Sequence, residues 1–402
     1  MQDTAVKGWG VQFSARTAWD GEETPLARAL RERRERGLEI LDLTASNPTQ
    51  CGFAYDSAGI LGALGAREAL VYDPDPRGMP GARRAVCRYY AERGAVVSPE
   101  QIFLTTGTSE AYSWLFRLLC DPGDEVLIAQ PSYPLFDFLA QIEDVRLAPY
   151  PLVYDHGWQI DFGGLRERVT ERTKAIAVVH PNNPTGHFTK EAERRELEKI
   201  CSDFGLALIV DEVFLDYAMP GHEGAAPSFA AGEHPVLTFV LSGISKIAAL
   251  PQMKAAWMAA FGGERELKDA LGRLEVVADT FLSMNAPVQC ALLAWLEGSG
   301  MIREQIRART VTNLENLDRC LLQNRQVTRL KVEGGWYAVL RVPALGSDED
   351  LAVRLVEERG VSVHPGYFFG FAGDGWLVVS LLGPEPEVAR GVEEICRLFA
   401  AS

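Results

Sequence analysis

The sequence predicts an α/β protein: a mostly parallel sheet in a large domain, followed by a smaller α+β domain. Three observations predict it. Short runs such as Ala175-Ile-Ala-Val-Val-His180, Leu206-Ala-Leu-Ile-Val210 and Val236-Leu-Thr-Phe-Val-Leu241 are almost continuously apolar. They alternate with helix-like stretches, the pattern of strands buried on both faces of a covered sheet. Each run then ends in polar residues or a glycine turn, where a parallel sheet binds its ligands.

The elements follow in order. Residues 26–36 read as a charged helix stopped by Gly37, and Leu38 to Leu43 as a short strand. Pro80 to Arg93 is a helix with Gly94 just past its end. Gln101 to Thr106 and Glu125 to Gln130 are strands, separated by a helix from Ser109 to Cys120 that Asp121-Pro-Gly stops. A helix over about 190–204 presents Leu197, Ile200, Cys201 and Phe204 on one face and ends at Gly205. From Glu264 the pattern changes to long amphipathic helices, roughly 264–282 and 286–323. Strands at Trp336–Arg341 and near Trp376–Leu381 follow, with a helix near 348–359 between them. The expected division is a large domain at 45–275 and a small domain made of 1–44 plus 276–402.

Bulk properties narrow the function. The 402 residues carry a net charge of −15, which argues against nucleic-acid binding. Met1 to Gly10 has no apolar leader-like core, and no run is long enough to span a bilayer. The cysteines are scattered, odd in number and lack C-x-x-C spacing, as expected of reduced thiols in a cytoplasmic protein. No H-E-x-x-H, P-loop, G-x-G-x-x-G or G-x-S-x-G occurs, so neither a metal nor those chemistries is expected.

The strand ends carry Gly107-Thr-Ser-Glu110, Pro131-Ser-Tyr133, Pro181-Asn-Asn-Pro-Thr-Gly186, Asp211-Glu212 and Ser245-Lys246. Lys246 follows a buried strand directly. A desolvated amine is a nucleophile able to form Schiff bases. A lysine, a carboxylate, an aromatic ring, an amide and a glycine turn into a helix together suit pyridoxal 5′-phosphate. Each has a plainer reading: a turn, a helix cap, a core ring, a surface amine. Their joint order in one crevice favours the functional one.

At this point the chain resembles the fold-type I, class I/II aminotransferases that depend on pyridoxal phosphate, over roughly Leu41 to Leu382. The resemblance rests on His180-Pro-Asn-Asn-Pro-Thr-Gly186, Asp211-Glu-Val-Phe214 and Ser242-Gly-Ile-Ser-Lys246, in that order. It implies that Lys246 is the Schiff-base lysine and proton shuttle, that Asp211 pairs with the pyridine nitrogen, and that Asn183 bonds the ring oxygen. Tyr133 would stack on the ring. Gly107, Thr108, Ser109 and Ser245 would hold the phosphate, and Tyr72 would reach a neighbouring subunit's phosphate in a homodimer. An amino donor and a keto acceptor would be the partners.

Three departures from the family pattern matter. Lys254 stands where an arginine usually grips the phosphate, and it lacks the planar fork. Phe214 replaces a tyrosine that donates to the ring oxygen. Val378, in Gly375-Trp-Leu-Val-Val-Ser380, replaces the arginine that usually binds the substrate carboxylate. Ser46, Asn47 and His364 are then candidate substrate groups, although His364 also reads as a structural histidine near a hinge. Asp279 stands where dicarboxylate-specific members carry an arginine, which speaks against aspartate or glutamate as substrate. A lyase or decarboxylase on the same scaffold is the alternative. A non-catalytic regulator fits less well with an intact Lys246 and Asp211.

Overall fold

The computed structural model describes residues 11–19, 21–222, 227–282 and 284–400. The leader reading at Met1–Gly10 therefore lies outside the described residues, as does Ser283 within the stretch around Asp279. A two-residue strand β1 (Leu41–Asp42) precedes the main sheet, shorter than the Leu38–Leu43 strand expected. Eight strands follow: β2 (Ile102–Thr105), β3 (Glu125–Gln130), β4 (Arg146–Tyr154), β5 (Trp158–Ile160), β6 (Thr173–Val179), β7 (Ala207–Asp211), β8 (Thr238–Gly243) and β9 (Ala256–Phe261). They form one sheet in the order β2-β9-β8-β7-β6-β3-β4-β5. The central run from β4 to β8 is parallel, whereas β9 is antiparallel to both neighbours and β5 closes the far edge antiparallel. Two reversals leave β2 pointing the same way as β8, so the strand ends named above share one edge of the sheet.

Strand alternation explains the two-sided core. Ile176 and Val178 of β6, with Leu208 and Val210 of β7, pack into one cluster. Their neighbours Ala175, Ala177, Ala207 and Ile209 pack into another on the opposite face, against helices Thr108–Leu119 and Glu264–Phe281. Period-two side chains that are apolar at every position need cover on both faces.

Four further strands, β10 (Thr328–Arg329), β11 (Tyr337–Arg341), β13 (His364–Pro365) and β14 (Trp376–Ser380), make a small sheet in the order β10-β11-β14-β13. Between them β12 (Val361–Ser362) pairs in parallel with β1. A third core joins Leu41 and Leu43 to Val361, Val363, Leu340 and the helix Glu385–Ala400.

The single helix expected over 286–323 is two helices, Ala286–Glu297 and Gly300–Leu321. The Gly298-Ser-Gly300 joint divides them, because glycine disfavours helix and the Ser299 hydroxyl turns back onto the Leu296 carbonyl at 2.6 Å. The first of the pair packs Val288, Leu292 and Trp295 with the large-sheet core, not with the small sheet. No helix among the described residues is long and apolar enough to cross a membrane.

Candidate functional site

A cavity of about 440 Å³ opens at the shared strand edge and extends to the small sheet. Lys246 enters it from the short helix Ile244–Ile247, directly after β8. The approach is tight: a Cβ on Gly243 would lie 2.8 Å from the Ala256 Cβ of β9. The Lys246 Nζ sits 4.8 Å from the centroid of the Trp336 ring and 5.4 Å from that of Phe214. Burial among these rings pushes the amine down to about 8, against the opposing pull of Asp211.

Asp211 closes β7. Burial raises its carboxyl to about 6, while the Val213 N–H, donating to Oδ1 at 3.1 Å, and the nearby Lys246 hold it down. At neutral pH this side chain is therefore still an anion, facing a lysine with an accessible neutral form.

The Pro181–Gly186 loop brings in Asn183. Its neighbour Asn182 shapes the turn, accepting from the Thr185 hydroxyl at 2.8 Å. Gly186 (φ +71°) is required there, since a Cβ would lie 2.5 Å from the Gly334 carbonyl oxygen. Asn183 Oδ1 is buried without a hydrogen-bond partner. Buried polar atoms left this way are what a bound ligand satisfies.

Thr108 and Ser109 line the cavity at the start of helix Thr108–Leu119, with Gly107 extended at its cap. Ser245 lines it as well. Lys254 is exposed and outside the cavity wall, yet its Nζ flanks the same turn, 3.5 Å from where a Gly107 Cβ would be. Tyr133 lines the cavity half-exposed, its ring edge-on to Phe136.

The candidate substrate residues divide. Ser46 lines the cavity, as does Tyr337. His364 lines it too. Asn47 does not, since its side chain caps a local turn through Thr49. Tyr72 is 79% exposed and not part of this chain's cavity. Val378 is fully buried in β14 and presents no polar atom.

Sequence reasoning passed over Tyr112, whose hydroxyl faces Asp211. The available signal was helical spacing: Tyr112 stands four residues after Thr108 and so shares its face. It also passed over Phe136, Phe138 and Val179 in the cavity wall.

Together these groups fit pyridoxal phosphate. The amine can take its aldehyde and the buried carboxylate its ring nitrogen. Hydroxyls at a helix N-terminus, with a lysine beside them, can take its phosphate. Residues 63–395 match the family model described as aminotransferase class I and II. The chain belongs to that family.

Two curated relatives give the range. Glutamate-pyruvate aminotransferase AlaA of Haemophilus influenzae is 26% identical over 373 residues, covering 90% of this chain and 91% of that protein. Arginine–pyruvate transaminase AruH of Pseudomonas aeruginosa is 28% identical over 393 residues, covering 95% and 93%. Among solved structures, alanine aminotransferase from Pyrococcus furiosus shares the fold with a TM-score of 0.87, at 23% identity, over 97% of this chain and 100% of that one. Aspartate aminotransferase from Thermus thermophilus with maleate gives 0.82 at 25% identity, over 97% and 100%. This aminotransferase thus has the fold-type I architecture and uses pyridoxal phosphate to move an amino group between an amino acid and a 2-oxo acid. The matches do not favour the lyase or decarboxylase alternative.

Proposed function

We propose that Lys246 is the residue that attaches the cofactor and carries the proton, with Asp211 as its electrostatic partner. The single observation behind this is the pair itself: a half-buried amine and a buried carboxylate lining one cavity, the amine pushed down and the carboxyl pushed up by desolvation. Pyridoxal phosphate, when bound, supplies an electron sink for the bond broken at the substrate Cα. Lys246 Nζ can release a proton near neutral pH and take one back, as a general acid and base must. Asp211 stays ionised and keeps a proton on whatever nitrogen it faces. Asn183 and Tyr133 orient the ring, and Thr108, Ser109 and Ser245 hold the phosphate with help from Lys254. The rings of Phe214 and Trp336 keep water from the amine.

We also propose a homodimer, with Tyr72 serving the neighbouring subunit. In support, Leu70, Val71 and Tyr72 form an exposed, largely apolar run. Light scattering that gives a monomer at working concentration would remove that support. Two domains, at 45–275 and at 1–44 plus 276–402, are proposed as well. The core shared by Leu43 and Val363 supports them, and the packing of helix Ala286–Glu297 does not. A cytoplasmic setting agrees with seven unpaired cysteines. Pyruvate, common to the names of the two relatives, is the acceptor we propose.

The test is borohydride reduction of the protein loaded with cofactor, followed by peptide mass spectrometry. The added mass should map to Lys246 and vanish in Lys246→Ala. Amino donors offered without acceptor should then convert the bound cofactor to pyridoxamine phosphate. Attachment at another lysine would overturn the assignment.

A further inference from the structure

We propose that His364 receives the carboxylate of the amino acid substrate, and that it does so as an imidazolium, taking up a proton as the carboxylate enters. The inference rests on the Lys246 cavity being the substrate site. A carboxylate brought into a largely aromatic cavity needs a donor or a cation. Among the described lining residues, the cationic side chains are Lys246 and His364, and no arginine lines the wall. Lys246 is engaged in chemistry.

The small sheet puts His364 where a carboxylate-binding group is missing. In the antiparallel register His364 of β13 lies directly opposite Val378 of β14, and Val339 of β11 flanks Val378 on the other side. Both valines are buried, so the strands behind this wall offer no polar side chain at that level. The imidazole is held in place: it stacks on Phe368 at 5.1 Å with planes 8° apart, and meets Phe369 edge-on at 5.6 Å. An aromatic face against the ring favours its cationic form.

Protonation follows from charge. A carboxylate entering a largely aromatic cavity favours the cationic form of a ring beside it. The Thr44 backbone, near the ring, favours that form as well.

The surrounding charges leave room for this. Burial of the ring opposes the cation, while Asp42, the second residue of β1, favours it. On helix Asp348–Arg354, Asp348 is occupied by the Gly375 and Trp376 N–H groups, and Glu349 by the Tyr367 hydroxyl. Arg354 of that helix is paired with Glu358. Lys246 and Asp211 face the cavity from the large sheet.

The experiment uses the cofactor-loaded enzyme and 3-phenylpropanoate, a carboxylate with no amino group. Calorimetry at about pH 8 in two buffers of different ionisation heat should show uptake of about one proton per carboxylate bound. Affinity should weaken toward tenfold per pH unit above the imidazole's ordinary range, as proton linkage requires. His364→Asn should abolish the uptake. It should also raise KM for an amino acid roughly 10- to 100-fold with a smaller change in kcat, and leave the matching amine without a carboxylate unaffected. If His364→Asn fails to fold, His364→Gln supplies the comparison, since Lys246 in the same cavity titrates near pH 8 and wild-type uptake alone does not separate the two groups. Binding without proton uptake, or a KM independent of pH, overturns the role of His364 while leaving Lys246 untouched. Cofactor attached elsewhere than Lys246 overturns both.

Discussion

Replacing Asp211 by asparagine should make Lys246 a stronger nucleophile in the cofactor-free protein, not a weaker one. Burial moves the Lys246 amine from 10.5 to about 8. That displacement corresponds to about 3 kcal/mol of preference for the neutral form. At pH 8 about half of Lys246 is then neutral, against roughly 0.3% of an ordinary lysine. Asp211 is the charge that resists this shift, and an opposite charge at close range is worth about one to three pKa units. Asparagine keeps an acceptor for the Val213 N–H and removes the charge. Lys246 should then fall to about 7 or lower, and its neutral fraction at pH 7 should rise from roughly a tenth to roughly half. Competitive acylation of the cofactor-free protein across pH, read by peptide mass spectrometry, reports the midpoint directly. A wild-type midpoint near 10, or an upward shift in Asp211→Asn, would refute the account of a desolvated amine held by one carboxylate.

Other consequences are independent of the cofactor or nearly so. Burial raises the Glu212 carboxyl from 4.5 to about 7. The folded value is the higher one, so this group's contribution to stability is complete below about pH 4.5 and is lost as pH rises through 7. Glu212→Gln, which keeps an acceptor for the Phe229 N–H, should exceed wild type by up to about 3 kcal/mol at pH 8 and by little at pH 4.5 in urea unfolding. Asn313 is fully buried and donates to the Leu381 and Gly383 carbonyls at 2.8 and 2.9 Å. Asn313→Leu leaves the Leu381 carbonyl unpaired and the Gly383 carbonyl with the Arg309 guanidinium, and should cost about 1–3 kcal/mol, seen as a fall in Tm. Gly186→Ala drives a Cβ toward the Gly334 carbonyl at a positive φ. It should lower stability by more than about 1 kcal/mol and loosen cofactor retention, because Asn183 rides on the same loop. Lys254→Met should weaken cofactor retention roughly tenfold in dialysis while leaving attachment at Lys246 intact.

Much of the site was legible because its residues follow strand ends. Asp211 ends β7, Ser245 and Lys246 follow β8, Tyr133 follows β3, and Asn183 follows β6. Parallel strands bring their carboxyl ends to one edge, so local punctuation was enough to gather these groups. Residues held by other logic were not. Tyr112 arrives on a helix face. Strand β9 went unread although it is apolar throughout, because Ala256–Phe261 is rich in alanine and reads as easily as helix. The helix expected through 286–323 breaks at Gly298 because sequence periodicity continues on both sides while the backbone does not. Asn47 was available by composition, but a neighbouring threonine engages it.

By itself, the sequence determined the fold class through its apolar runs and the cofactor through motifs that resemble a family's, and it offered Lys246 and Asp211 as candidates, because those signals are local. Only the tertiary structure decided how these residues behave. The lowering at Lys246 comes from desolvation by side chains such as Phe214 and Trp336, which lie far from it in sequence. The pairing of His364 with Val378 is likewise a matter of strand register. Desolvation and register are sums over distant neighbours, which no window along the sequence contains.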